Sequence, residues 1–132
     1  MPSHSPDEAS LDAMIRAFLT AWGLGDLDRV MARLTDDAVY HNMPMEPIVG
    51  REAIGRFVAR HADRPPRRVE IHHQIVAGNI VMNERTDYAR INGRAVVLPI
   101  CGVFEIDGDR IRAWREYFDA GMLRSAILGP AG

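Results

Sequence analysis

The 132-residue chain contains no lysine; all 16 of its basic residues are arginines. That absence excludes Schiff-base chemistry and phosphate binding through a P-loop lysine. A single cysteine, Cys101, rules out an internal disulfide and any zinc site built on paired thiolates. No apolar run approaches bilayer-spanning length, and the first ten residues, MPSHSPDEAS, lack the basic start and apolar stretch of a secretory signal. Excess charge of one sign is missing too: 16 basic against 18 acidic residues leave a net charge of −2 and no basic field for nucleic acid. A cytoplasmic protein with neither nucleic-acid nor membrane partners is expected. With 47% hydrophobic and 26% charged residues the composition is ordinary for a globular protein, and the length fits one domain over 1–132 with a flexible tail at 1–5.

Ser5, Pro6 and Glu8 form a helix-start signal: a hydroxyl cap, then proline, then a carboxylate three residues after the cap. Leu11, Met14, Ile15, Phe18, Leu19 and Trp22 recur at helical spacing until Gly23 and Gly25, which predicts one long amphipathic helix. Asp26 caps a second, shorter helix bearing Leu27, Val30, Met31 and Leu34. A strand over 38–43, a loop punctuated by Pro44, Pro47 and Gly50, and a third helix over 51–61 follow, before DRPPRR marks a surface break. From Val69 the period becomes two, with strands over 69–77, 80–90, 94–106 and 109–118. Asn92-Gly93 and Asp107-Gly108 are hairpin dipeptides, because both accept positive φ at low cost. The expected class is α+β, with three helices on one face of a curved, mixed and mostly antiparallel sheet.

In strand 94–106, Val97, Cys101 and Val103 alternate with Val96, Leu98, Ile100 and Phe104, so both faces are apolar. The helices can cover one face; a second copy is the simplest cover for the other, so a homodimer is expected. Against this apolar pattern stand a few charges. A two-residue turn at Asn92-Gly93 places Arg85 opposite Ile100 and Asp87 opposite Leu98, on the inner face. A structural ion pair at a sheet edge would also explain them. In the last strand either Glu116 or Asp119 can point inward, and the neighbours Trp114 and Phe118 favour Glu116, leaving Asp119 to close the strand or cap a following helix. A plain turn at Asp107-Gly108 would put Glu116 opposite Pro99 on the wrong face. One extra residue, in a longer turn or as a bulge near Gly102, is needed to bring it opposite Ile100. Tyr40 and Asn42 share a face of the first strand, so a hydroxyl, an amide, an arginine and two carboxylates could converge and activate a water.

The segments VYHNMP, REAIGRF, NERTD, CGVFEIDGDRI and AWREYFD together resemble the limonene-1,2-epoxide hydrolase family, within the nuclear-transport-factor-2-like and SnoaL-like superfamily. The likeness runs from about residue 12 to 124. It implies a cystatin-like cone with the three helices on its concave side, and a cofactor-independent enzyme that adds water to a small apolar epoxide, giving a vicinal diol. It also implies roles: Tyr40 and Asn42 hold the water, Glu116 is the base, Asp87 the acid, and Arg85 bridges the two. Glu116 stands where the family carries an aspartate, one methylene shorter. By resemblance and strand facing, Leu19, Trp22, Val69, Leu98, Ile100, Phe118 and Leu123 are candidate pocket walls. An epoxide-opening cyclase, a ketosteroid-isomerase-like proton shuttle and a lipophile carrier share the fold and stand as alternatives.

Other residues carry weaker signals. His72 and His73 fall on opposite sides of a regular strand and cannot chelate one metal together, so no metal site is expected. His41 faces away from Tyr40 and Asn42, and Met31, Met43, Met45, Met82 and Met122 read as core or pocket filling. Arg64, Arg67 and Arg68 read as a solvated loop, and Cys101 as a small buried hydrophobe.

Overall fold

The computed structural model describes residues 7–60, 67–91 and 93–128. Helix α1 (Glu8–Leu24) is capped by Asp7, whose carboxylate accepts from the Ser10 amide at 2.8 Å. The expected cap differs from this one; Ser5 and Pro6 lie outside the described residues, as do the tail at 1–5 and Arg64. The helix runs through Gly23 and ends at Gly25, whose φ of 74° is open to glycine at little cost. Asp26 caps α2 (Leu27–Ala32) as its sequence suggests, accepting from the Arg29 amide. Leu34 opens strand β1 (Leu34–Asn42) and does not belong to α2. A two-residue strand absent from the sequence reading, β2 (Ile48–Val49), pairs with β1 before α3 (Arg51–Ala59). Strands β3 (Arg68–Ala77), β4 (Ile80–Ile91), β5 (Arg94–Asp107) and β6 (Arg110–Tyr117) follow, and α4 (Ala120–Leu128) comes last.

The sheet order is β2-β1-β6-β5-β4-β3, with β1 and β6 parallel and every other pair antiparallel. Helices α1, α2 and α3 bury Ile15, Phe18, Leu19, Val30 and Ile54 against Leu34, Val81, Phe104, Ile111 and Trp114 of the sheet. Each such side chain contributes roughly 1.5–3 kcal/mol by leaving water. The described residues hold four helices instead of three. Asp119 starts the fourth, its Oδ1 accepting from the Gly121 and Met122 amides at 2.7 and 3.2 Å. Leu123 and Ala126 of α4 then pack on Val96, Leu98 and Ile100 in a smaller apolar cluster of their own.

Two irregularities set which side chains face inward. The β5–β6 hairpin turns at Gly108-Asp109, pairing Asp107 with Arg110, and this register alone would place Glu116 opposite Cys101, on the outer face. A bulge between the Ile106–Ile111 and Glu105–Ala113 pairs, where Arg112 is the extra residue, restores the inward face. Glu116 therefore sits opposite Gly102, not opposite Ile100, and the bulge lies near Glu105 instead of Gly102. On β3 the register shifts between Ile71 and His73. This sends both imidazoles outward, His72 to Thr86 Oγ1 at 2.7 Å and His73 to Glu84 at 3.0 Å, where a regular strand would have separated them.

Cys101 is exposed on the outer face, contrary to its apolar neighbourhood in sequence, because it alternates with inward Ile100 and Gly102. Ile75, Met82 and Val97 share that face and are 65%, 37% and 53% exposed. No helix among the described residues is long and apolar enough to cross a membrane.

Candidate active site

Arg85 is fully buried and Glu116 is 2% exposed; with Asn83 they are the buried polar side chains among the described residues, in an interior of aliphatic and aromatic groups. A guanidinium in such surroundings persists only with its donors satisfied. The β4–β5 hairpin supplies the local frame, with Arg85 opposite Ile100 and Asp87 opposite Leu98 as the turn dictates. Arg85 Nε donates to Asp87 Oδ1 at 2.9 Å, and Nη2 donates to Asp87 Oδ2 at 3.4 Å and Glu116 Oε2 at 2.5 Å. Nη1 donates to Asn83 Oδ1 at 3.3 Å. The other oxygen of Glu116 accepts from the Trp114 indole at 2.9 Å. Among the described residues no buried side-chain nitrogen or oxygen lacks a partner.

Gly102 makes this arrangement possible. A Cβ there would lie 2.6 Å from Arg85 Nη1 and 2.9 Å from Asn83 Oδ1, so the guanidinium passes over a bare stretch of β5. Strand pairing aligns Asn42, Glu116, Gly102 and Asn83 across β1, β6, β5 and β4. Beside this row the Tyr40 ring stacks on Trp114 with centroids 3.9 Å apart, and Asn42 follows two residues later on the same strand.

Burial pushes the Glu116 carboxyl above its ordinary range; Arg85 pulls it back, and Asp87 adds to the rise. Burial weakens the hold of Arg85 on its proton, but the charges of Glu116 and Asp87 reverse this and raise it overall. Tyr40 is raised by burial and by the Glu116 charge, so it is a neutral phenol at physiological pH.

These groups floor a cavity of about 190 Å³ whose walls include Trp22, Phe57, Leu98, Ile100, Phe118 and Leu123. Tyr40, Asn42, Asp87 and Glu116 reach it directly, while Arg85 lies beneath. A lobe of about 110 Å³ adjoins beyond Asp87 and Leu98. Of the expected walls, Leu19 and Val69 are displaced: Leu19 is in the main core and Val69 packs against it. Met45, read as core or pocket filling, lines the cavity, and Phe57 and Arg67 line it without having been anticipated. Arg67 belongs to a stretch whose composition suggests a solvated loop, yet its guanidinium lies 4.5 Å from the Trp22 ring centroid, and its amide donates to the Gly23 carbonyl at 2.7 Å. Trp114 and Asn83 were also missed; the odd polar residue Asn83 beside Arg85 on an inward face was the available signal. A larger open groove of about 440 Å³ between α1 and α2 has only Arg29 and Arg33 as charged lining and holds no acid–base pair. Among the described residues no cluster of His, Cys, Asp and Glu could hold a metal ion.

The family model of the limonene-1,2-epoxide hydrolase catalytic domain matches residues 10–128. The chain belongs to the limonene-1,2-epoxide hydrolase family. It is 38% identical over 118 residues to the epoxide hydrolase EphG of Mycobacterium tuberculosis, covering 86% of this chain and 79% of the relative. A solved M. tuberculosis epoxide hydrolase of this type superposes with a TM-score of 0.84 at 36% identity, covering 93% and 92% of the two chains. A SnoaL-like protein from Shewanella putrefaciens superposes at 0.82 with 15% identity over 98% of this chain and 88% of its own, a likeness of fold alone. As an epoxide hydrolase of the limonene-1,2-epoxide hydrolase type, the protein places its two carboxyls and their shared arginine within the matched region.

Proposed function

We propose that the protein hydrolyses a small, mostly hydrocarbon epoxide of terpene or aryl type to a vicinal diol in one push–pull step, without a cofactor. The supporting observation is the pair of carboxyls joined through one buried guanidinium at the floor of an apolar cavity. Tyr40 and Asn42 position a water against Glu116. Glu116 takes a proton from that water as its oxygen bonds to an epoxide carbon. The carbon–oxygen bond of the ring breaks, and Asp87 delivers a proton to the leaving oxygen. The arginine between the two carboxyls holds both in place, one facing the water and the other the leaving oxygen. A ketosteroid-isomerase-like shuttle would need one base and an oxyanion site, not a base and an acid bridged by arginine.

Glu116 is one methylene longer than the aspartate of the family pattern, and its carboxylate is held by Trp114 and Arg85. The test is incubation in H₂¹⁸O with terpene and aryl epoxides. Diol labelled at one oxygen supports hydrolysis; rearranged or cyclised product, or tight binding without turnover, refutes it. Glu116→Gln is expected to lose on the order of 100-fold or more in kcat, as for removal of a general base, while Glu116→Asp retains activity. We also propose a homodimer through the outer face of the sheet, where Ile75, Met82 and Val97 are exposed together.

A further inference from the structure

We propose that Asn83 and Gln74 are positioning residues that hold the Arg85 guanidinium in the orientation placing Nη2 between Glu116 and Asp87; this rests on the acid–base reading above. Three of the contacts of Arg85 go to the two acids on one side of the guanidinium. The opposite side, Nη1, is held by Asn83 Oδ1 at 3.3 Å. No side chain of β5 walls it there, because Gly102 lies beneath. Asn83 is 2% exposed, so its amide has no solvent alternative.

The orientation of that amide is dictated from the far end of a chain. Gln74 Nε2 donates to the Asp12 backbone carbonyl at 3.1 Å and to Asp12 Oδ1 at 2.8 Å. Neither acceptor can donate, so Gln74 must present its nitrogen to α1 and its oxygen to Asn83. Asn83 Nδ2 donates to that oxygen at 3.0 Å, which leaves only Oδ1 for Arg85. The register puts Gln74 opposite Asn83 and Asn83 opposite Gly102, so the chain runs straight across β3, β4 and β5. A flipped Asn83 would aim an N–H at a guanidinium. Two amides cannot relay a proton at neutral pH, so the chain conveys orientation and polarisation, and its loss misplaces the acid pair without removing a reacting group.

The test uses styrene oxide, the purified protein, and Asn83→Leu, Gln74→Leu and the double variant Gln74→Glu with Asp12→Asn. Asn83→Leu is expected to lower kcat at least about tenfold with KM within about twofold, the signature of misplaced reacting groups. Gln74→Leu falls in the same sense. The double variant recovers part of the loss seen in Gln74→Leu, because the carboxylate it places at position 74 still accepts from Asn83 and takes a donor from the new amide at position 12, while the residue 12 backbone carbonyl, left facing that carboxylate, limits the recovery. In ¹⁵N–¹H spectra the separately resolved Arg85 Hη signals of wild type broaden in Asn83→Leu and return in the double variant. Wild-type kcat and unchanged Hη signals in Asn83→Leu or Gln74→Leu, with only thermal stability reduced, would overturn the positioning role. Should Asn83→Leu fail to fold, the Gln74 variants decide. Glu116→Gln separates the two ideas: if it stays active the acid–base reading falls, and if it is inactive while both leucine variants are fully active, only the positioning role falls.

Discussion

Gly102→Ala adds one methyl group where the structure has least room for it. Its Cβ would stand 2.6 Å from Arg85 Nη1, 2.9 Å from Asn83 Oδ1 and 3.2 Å from the Phe104 ring. An unstrained contact with the nitrogen needs about 3.5 Å, so the guanidinium must retreat by roughly 1 Å or β5 must bow outward. Retreat by that amount stretches the Nη2 contact to Glu116, now 2.5 Å, toward about 3.5 Å, the weak limit of a hydrogen bond, and the donor from Nη1 to Asn83 is already long at 3.3 Å. A misplacement of that size costs about 100-fold in rate. Overpacking a buried strand costs about 1–3 kcal/mol. For a domain of this size that is a fall in Tm of roughly 3–12 °C. Both are read on one preparation, kcat from diol formation and Tm from circular dichroism. Wild-type kcat together with wild-type Tm would refute the claim that the bare strand is there for the arginine.

Three further outcomes follow from the same contacts. Glu116→Gln should unfold at a lower temperature than wild type at pH 8, because one of the two oxygens that accept from the Trp114 indole and the buried Arg85 guanidinium becomes a donor; calorimetry showing no loss of stability would contradict this. Asp119→Asn should leave kcat within about threefold, since asparagine also caps helices and α4 stays in place; an inactive variant would mean that the final motif has been assigned three residues out of register. Light scattering at micromolar protein should give a dimer, and particles of 14.8 kDa alone would remove the outer-face interface.

Much of this architecture was legible in the sequence because one regular period governs it. The Leu11-to-Trp22 stripe gave α1, and the Asn92-Gly93 turn gave a register in which Ile91 pairs with Arg94 and Arg85 with Ile100. The misreadings fall where periodicity is interrupted. The Arg112 bulge and the register shift at His72 each add a residue that no composition signal marks, and each changes which side chains share a face. Helix α4 stood only as one of two readings of Asp119, because its apolar residues cover only a short cluster, and Arg67 was missed because its neighbours in sequence have the composition of a loop. Asn83 and Trp114 were overlooked for another reason: their importance lies in what they donate to or accept from, and hydrogen-bond direction is fixed only by partners far along the chain.

The burial of Glu116 acts with opposite signs on stability and on the proposed chemistry. Its folded pKa lies above the unfolded value of about 4.5, so between those two values the native state binds more protons than the unfolded one. Its contribution to stability is therefore fully present below the unfolded pKa and is lost as pH rises through the folded one. The ionised form is the one able to take a proton from water, so activity rises through the same window in which stability falls. A fully solvated carboxylate would avoid the loss but would be a weaker base. The contacts from Arg85 and Trp114 limit the rise without cancelling it, which keeps the carboxylate accessible while leaving it more basic than a surface glutamate. Asp87 takes two donors from the same arginine and is 13% exposed, against 3% for the Glu116 side chain, so the two acids meet solvent very differently. The arginine thus has to satisfy two acids in unlike surroundings at once, and the polar row across the sheet is what fixes its position between them.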